Sequence, residues 1–249
     1  MSLIAALKAR LDREAFFPGV LSFFLSPYFI TRHHLVKAIR ELAPRIGGAV
    51  LDFGCGSKPY ESLFAHAERY VGVDVEVSGH DHSTSRVDYF YEGNRLPFDD
   101  ATFDSIVSFE VFEHVAELEV MVAELARVAR PGANLLVTTP FVFPEHEVPF
   151  DFRRLTRYGL QDILEGNGFE IILFRPTTGS ILAVAQLFNH VVFREISPNF
   201  TLARILAHFL LALPATILPY LLHFLLPGRS SLYVNSAILA RKRGAAEAA

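Results

Sequence analysis

"LDFGCGSKPY", residues 51–60, decides how the rest of the chain is read. An apolar run leads in from Ala49, two glycines flank the only cysteine, and a proline closes the stretch. Glycine weakens a strand and proline cannot belong to its hydrogen-bonded centre, so a strand ends here and exposes main chain. The chain must then turn sharply into a helix, expected near Pro59, a residue favoured in a first helical turn. Gly54 and Gly56 permit that turn and let a ligand touch bare backbone. Free N–H groups at the helix start would suit a polar or anionic group.

Working outward, seven segments read as strands: "AVLDFG" (49–54), "RYVGVDVE" (69–76), "SRVDYFYE" (85–92), "FDSIVSFE" (103–110), "ANLLVTTPF" (133–141), "FEIILFR" (169–175) and "SLYVNSAILARK" (231–242). A helix-length segment separates the first two. "AELEVMVAELARVAR" (116–130) has helical periodicity and stops at Pro131-Gly132. Thr156 can cap a further helix ending at Asn167-Gly168. Strands alternating with helices predict an α/β fold, a Rossmann-like, open, mostly parallel seven-stranded sheet with helices on both faces. Such sheets bind ligands beyond the carboxyl ends of their strands. Residues 54–57, 74–76, 92–96 and 109–114 fall there.

Asp74 closes the second strand, where a carboxylate can accept both hydroxyls of a ribose. The site therefore reads as one for a nucleoside. A dinucleotide fingerprint needs a third glycine, but Pro59 stands in its place, and Asp52 would repel a pyrophosphate. Asp52 reads either as a turn cap or as a carboxylate holding a ligand ammonium. Cys55 reads as a small buried side chain.

These blocks resemble the class I S-adenosylmethionine (SAM)-dependent methyltransferases, most closely the small-molecule, type 11-like branch. "VLDFGCGS" is similar to the family's glycine-loop block and "VGVDV" to its acidic block. "LPFDDATFDSIVSFEVFEHV" (96–115) and "ELARVARPGANLLVTTP" (124–140) are similar to its fourth- and fifth-strand blocks. Ser57 and Ala133 depart from glycines common in the family. The resemblance covers 35–177 and 231–242, which it implies are a SAM-binding domain. It implies Gly54, Cys55 and Gly56 along the methionine moiety with Asp52 near it, and Asp74 on the ribose. Glu92 and Gly93 would lie toward the adenine end, and Phe109 and Glu110 at the cofactor's border. Glu92 also reads as a solvated loop acid. Competing readings are a catalytically silent SAM-binding membrane adaptor and a nicotinamide-dependent oxidoreductase.

On the acceptor side, "TPFVFPEHEVPFDFRRLT" (139–156) follows the fifth strand. His146, between Glu145 and Glu147, is the candidate catalytic base, supported by a neighbouring carboxylate; a surface loop histidine is the plainer reading. Arg153 or Arg154 could hold an anionic acceptor or stay solvated. His114 is expected to make a structural bond to nearby backbone. "HDH" (80–82) has metal-like spacing without distant partners, and no metal site is expected.

The chain's 249 residues are 51% hydrophobic with a mean hydropathy of +0.30, and only 20% are charged. A soluble protein carries about 25% charged residues. A net charge of −4 offers no basic patch for nucleic acid. One cysteine excludes an internal disulfide and fits a reducing, cytosol-facing compartment. Pro18 and Pro27 interrupt the apolar Phe16–Ile30 stretch and no cleavage site follows, which argues against a signal peptide.

The apolar surplus collects elsewhere. From Ile205 to Gly228 there is no Asp, Glu, Lys or Arg. Return of the last strand to the same sheet requires an even number of membrane crossings or none. Arg204, His208, Thr216, Tyr220 and His223 share one side of the helix, and Pro214 and Pro219 would bend it. Residues 178–230 therefore read as a hydrophobic helical insertion, with 181–227 lying in one leaflet. A buried helical cap or dimer interface is the alternative. Residues 1–34 read as an apolar, amphipathic N-terminal segment and 243–249 as a flexible tail. The expected protein is cytoplasmic, peripheral or monotopic on the cytoplasmic face of a membrane. It would methylate a small-molecule, hydrophobic or lipid-linked acceptor, without nucleic acid.

Overall fold

Strand β1 (Ala49–Phe53) is apolar along its length except at Asp52, and all but its first residue are buried. β2 (Arg69–Val75) and β4 (Phe103–Phe109) show the same unbroken burial at their centres. Strands covered on both faces read as continuous apolar runs rather than as alternation. In a computed structural model describing residues 13–77, 85–196, 201–223 and 231–244, these strands form the middle of a seven-stranded sheet. "HDH" lies outside the described residues.

The strand order is β3-β2-β1-β4-β5-β7-β6, with β3 (Tyr89–Tyr91), β5 (Ala129–Pro140), β6 (Phe169–Pro176) and β7 (Asn235–Lys242). β1 runs parallel to β2 and β4, and β2–β3 and β4–β5 are parallel too. Asp52 stands opposite Gly72 on one side and Val107 on the other. This register brings the ends of β1, β2, β3, β4 and β5 to one edge. The order reverses between β1 and β4, the position where open α/β sheets take ligands.

The chain divides into two compact units. Ile39–Arg175 with Ser236–Ala249 holds most of the sheet. Its core joins Phe53, Phe103, Ile106, Leu135 and Ile238 to the helices α3 (Leu118–Val128) and α4 (Arg157–Gly166). Met121, Val122 and Leu125 of α3 and Leu160 and Leu164 of α4 are fully buried. Thr156 caps α4, accepting from the Gly159 N–H at 3.1 Å.

Three local expectations are corrected. No α-helix follows β1. Lys58 adopts a left-handed φ of 53°, and a single 3-10 turn, Glu61–Phe64, suffices to bury Tyr60 and Phe64. The third strand shrinks to three residues. Pro131-Gly132 ends no helix with a loop: α3 passes directly into β5. There a register shift between Phe103 and Ser105 lets the surplus residues bulge.

The second unit, Met1–Ala38 with Pro176–Asn235, is helical. It contains α1 (Val20–Leu25), the first part of α2 (Phe29–Leu42) and α5 (Ser180–His190). A π-helical segment, Val191–Ile196, follows α5. Then come α6 (Thr201–Ala207), a π turn (His208–Ala212) and α7 (Leu213–His223). The π turn precedes Pro214, whose ring would strike the carbonyl of an ordinary preceding turn.

Its interior joins an apolar cluster of Ile30, Leu182 and Ala185 to several buried polar side chains. Gln186 is wholly buried, accepting from the Thr31 N–H (3.1 Å) and donating to the Pro27 carbonyl (3.0 Å). Asn189 donates to Thr216 Oγ1 at 2.8 Å, and His208 Nε2 lies 2.7 Å from the Phe24 carbonyl. Outward lie Leu202, Leu206, Leu210, Leu218 and Leu221, each more than half exposed, with Leu210 at 70%. The helical run Leu202–Leu222 is long and apolar enough to cross a membrane.

Candidate active site

The glycine turn sits beyond β1 at the reversal point. Gly54 has φ 72° and Gly56 φ 47°, both left-handed. A Cβ on Gly54 would come within 2.5 Å of the Val111 methyls, so the approach itself demands glycine. The Gly54 and Cys55 N–H groups donate to the Val73 carbonyl at 2.9 and 3.2 Å. Asp74, 5% exposed, accepts from the Gly56 N–H at 2.8 Å and from the Val75 N–H at 2.8 Å. The ends of β1 and β2 are thereby tied through one carboxylate.

Asp52 lies 3% exposed and accepts from the Tyr70 hydroxyl at 2.8 Å. It caps no turn. Burial pushes its carboxyl up to about 7, against the pull of Tyr70 and Lys58. Cys55 is buried as a free thiol, and burial pushes its pKa up, consistent with a packing role. Glu92 and Gly93 are exposed just past β3. Phe109 is half-buried against Tyr60 edge-on (5.1 Å) and Phe64 (6.0 Å), and Glu110 follows at φ 56°.

Two residues missed by the sequence reading brace the turn. Lys58, buried, pairs with Asp88 at 2.5 Å, and Asp88 also accepts from the Gly72 N–H at 2.7 Å. The alternation of "SRVDYFYE" hid Asp88, which serves the β2–β3 junction rather than a strand face.

A second cluster forms where the segment after β4 meets the segment after β5. Glu113, fully buried, lies 3.8 Å from His114 Nε2 and 4.0 Å from His146 Nε2 through its Oε1. The two imidazoles meet edge to face with centroids 4.8 Å apart. His114 Nδ1 is 2.8 Å from the Phe150 carbonyl oxygen, so the expected backbone bond exists, though to a distant residue. His146 Nδ1 is 3.3 Å from both the Pro144 carbonyl and Asp151 Oδ2. Arg154 pairs with both oxygens of Asp151 at 2.6 and 2.7 Å and donates to the carbonyls of Phe143 and Pro144. Arg153 donates to the Ala116 carbonyl. Both arginines are thus committed to shaping this arm.

The neighbours of His146 are corrected accordingly. Its neighbours are Asp151, Glu113, His114, Phe143 and Arg154, while Glu147 Oε2 lies 3.9 Å from His114 Nε2. Burial and then His114 pull its pKa below the ordinary value, outweighing Asp151. The imidazole is neutral at neutral pH. Burial raises Asp151, yet the Arg154 bond and the His146 N–H hold it down at about 2. Burial, helped by Glu110, pushes Glu113 well above the carboxylate range. "FEH" and "DFRR" carry this cluster, but nothing in their separate spacing shows that they meet.

A family model described as "Methyltransferase domain" matches residues 51–137, from the glycine turn through β5. A "Probable S-adenosylmethionine-dependent methyltransferase" of Mycolicibacterium smegmatis is 37% identical over 157 residues, 58% of this chain and 60% of that protein. A "Fatty-acid O-methyltransferase" of the same organism is 29% identical over 59% of this chain and 56% of that one. The chain thus spans about three fifths of the length of these curated relatives. The solved cyclase SpnF superposes with a TM-score of 0.53 at 20% identity, over 84% of this chain and 82% of that one. At that identity the likeness concerns the fold alone.

Proposed function

We propose that this chain, which carries a class I SAM-dependent methyltransferase domain, methylates an oxygen of a hydrophobic small molecule or lipid-linked acceptor at a membrane surface. One observation carries the reading: the turn with left-handed Gly54 and Gly56, where Gly54 admits no Cβ, lies bonded to Asp74 at the sheet's reversal point. Bound there, SAM supplies a methyl group on a sulfonium and a good leaving group. The Gly54–Gly56 main chain lies along its methionine part, and Asp74 exchanges part of its bonding for the ribose hydroxyls. Glu92 and Gly93 face the adenine end, while Phe109 and Glu110 form the border. Asp52, carrying its proton near neutrality, stands below the turn, where a ligand ammonium would favour its ionised form.

The acceptor side is the arm 139–156 with His146, whose neutral ring is suited to a proton-bearing acceptor oxygen. The outward leucines of the helical unit support delivery from lipid, on the cytoplasmic face and without a crossing. The fatty-acid O-methyltransferase relative fits an apolar acceptor.

Calorimetry with S-adenosylhomocysteine tests the cofactor half: binding is expected, and Asp74→Ala should weaken it about 10- to 150-fold. Unchanged affinity removes Asp74 from the site. Label transferred from methyl-labelled SAM into a membrane extract would identify the acceptor. Label appearing only in water-soluble products would overturn the membrane half.

A further inference from the structure

We infer that Glu113, His114 and His146 form a binding site for one divalent transition-metal cation, open on its remaining positions to the acceptor's oxygen. The inference rests on the methyltransferase reading only for the identity of that acceptor.

Three donor atoms converge: Glu113 Oε1, His114 Nε2 and His146 Nε2, all within 4.8 Å of one another. Ligand atoms about 2.1 Å from a tetrahedral metal stand about 3.4 Å apart. Glu113 Oε1 stands 3.8 and 4.0 Å from the two imidazole nitrogens, and the three atoms, all within 4.8 Å, would draw together around a cation.

The protonation pattern is the decisive feature. A carbonyl oxygen can only accept, so the Phe150 carbonyl places the proton of His114 on Nδ1 and leaves a lone pair on Nε2. For His146 the Pro144 carbonyl and Asp151 Oδ2, both 3.3 Å from Nδ1, favour the same tautomer over the Arg154 Nη2 donor at 3.5 Å. Oriented imidazoles whose outer nitrogens are held by carbonyl or carboxylate are the arrangement that supports metal ligands. Glu113 Oε1 and His114 Nε2 are buried without a hydrogen-bond partner among the described residues. A cation that displaces the Glu113 proton would satisfy both buried atoms at once and take His146 Nε2 as its third donor.

Two imidazoles and one carboxylate suit Zn²⁺, Mn²⁺, Fe²⁺ or Co²⁺ better than Mg²⁺ or Ca²⁺, which prefer oxygen shells. Three protein ligands, with the partly exposed Glu147 carboxylate 3.9 Å from His114 Nε2 at the rim, leave positions open, as in reactive rather than structural sites. A coordinated hydroxyl would be oriented there and would lose its proton to solvent more readily. His146 then acts as a ligand and not as a free base. The sequence reading expected no metal because the donors come from two segments that only the fold unites.

The test uses the full chain, stripped with a chelator and titrated with Mn²⁺, Zn²⁺ and Co²⁺ by calorimetry. Visible absorption of the Co²⁺ form gives a readout independent of turnover. One site is expected, with affinity reduced at least about tenfold in both His146→Ala and Glu113→Gln. Asp151→Asn, which leaves every ligand in place, should weaken the site more mildly. S-adenosylhomocysteine binding should persist in all three variants and reports their folding. Absence of a site in the stripped chain, or equal affinity and stoichiometry in wild type and ligand variants, overturns the inference. Cation binding without any S-adenosylhomocysteine binding would leave this site standing and remove the methyltransferase reading instead.

Discussion

The two units of this chain both bury apolar side chains, but they differ in their buried polar groups and in what they leave exposed. The sheet unit hides Phe53, Ile106, Leu125 and Leu135 and turns most of its charged groups outward, apart from Lys58 and a few acids near the strand ends. In the helical unit, Gln186, Asn189 and Thr216 are buried while Leu202, Leu210, Leu218 and Leu221 face out. Water drives the first arrangement, since burying apolar area is what stabilises a soluble core. The same drive forms the small Ile30–Leu182–Ala185 cluster of the second unit, but it does not account for that unit's row of exposed leucines. A contiguous exposed apolar face of this kind marks a contact surface, for lipid or for protein. The polar groups differ too. The sheet unit buries ionisable acids, Asp52, Asp74 and Glu113, beside a proposed ligand site, whereas the helical unit's fully buried amides, Gln186 and Asn189, are neutral.

The contrast can be broken most directly at the outward leucines. Leu210→Ser, Leu218→Ser and Leu221→Ser together should lower liposome co-flotation by about 100-fold or more, since each full burial of a leucine contributes about 1.5–3 kcal/mol. S-adenosylhomocysteine affinity should not change. Flotation as strong as wild type would mean that these residues meet protein and not lipid. Next in size, Leu125→Ala in α3 should cost about 2–5 kcal/mol in urea unfolding. The matched Leu218→Ala, in detergent-free buffer, should cost close to nothing. Equal losses would erase the distinction between the units.

A smaller effect, about 1–3 kcal/mol, is expected from Gln186→Leu, which strands the Thr31 N–H and the Pro27 carbonyl. Stabilisation by that change would show that these buried polar contacts contribute nothing. The smallest effect concerns Asp52. Its folded pKa of about 7 lies above the unfolded value of about 3.9, so the folded state holds the extra proton between them. Stability from this group is therefore lost as pH rises through that window, by about 1 kcal/mol between pH 6 and 7. Asp52→Asn should flatten this slope while keeping an acceptor for Tyr70. An unchanged slope would assign the pH dependence to other groups.

How much was legible differs by element. The ends of β1, β2 and β4 could be read because a strand buried on both faces announces itself as an apolar run stopped by Gly54, Asp74 or Glu110. The missing helix after β1 was not legible, because Pro59 opens a 3-10 turn as readily as an α-helix. Only the packing of Tyr60 and Phe64 chose between them. Nor did Pro131-Gly132 disclose that it bulges within β5, since a bulge is defined by the partner strand's register.

What the chain's own order of residues determined is the sheet, the bare main-chain turn and the place of Asp74. Each of these depends on neighbours a few positions apart, through backbone freedom and strand periodicity. The meeting of Glu113 and His114 with His146, the tautomers set by Phe150, Pro144 and Asp151, and the direction in which the leucines of Leu202–Leu222 point were decided by tertiary structure alone. They depend on which distant groups the fold brings within a few ångströms, and hydrogen bonds and burial act only at that range.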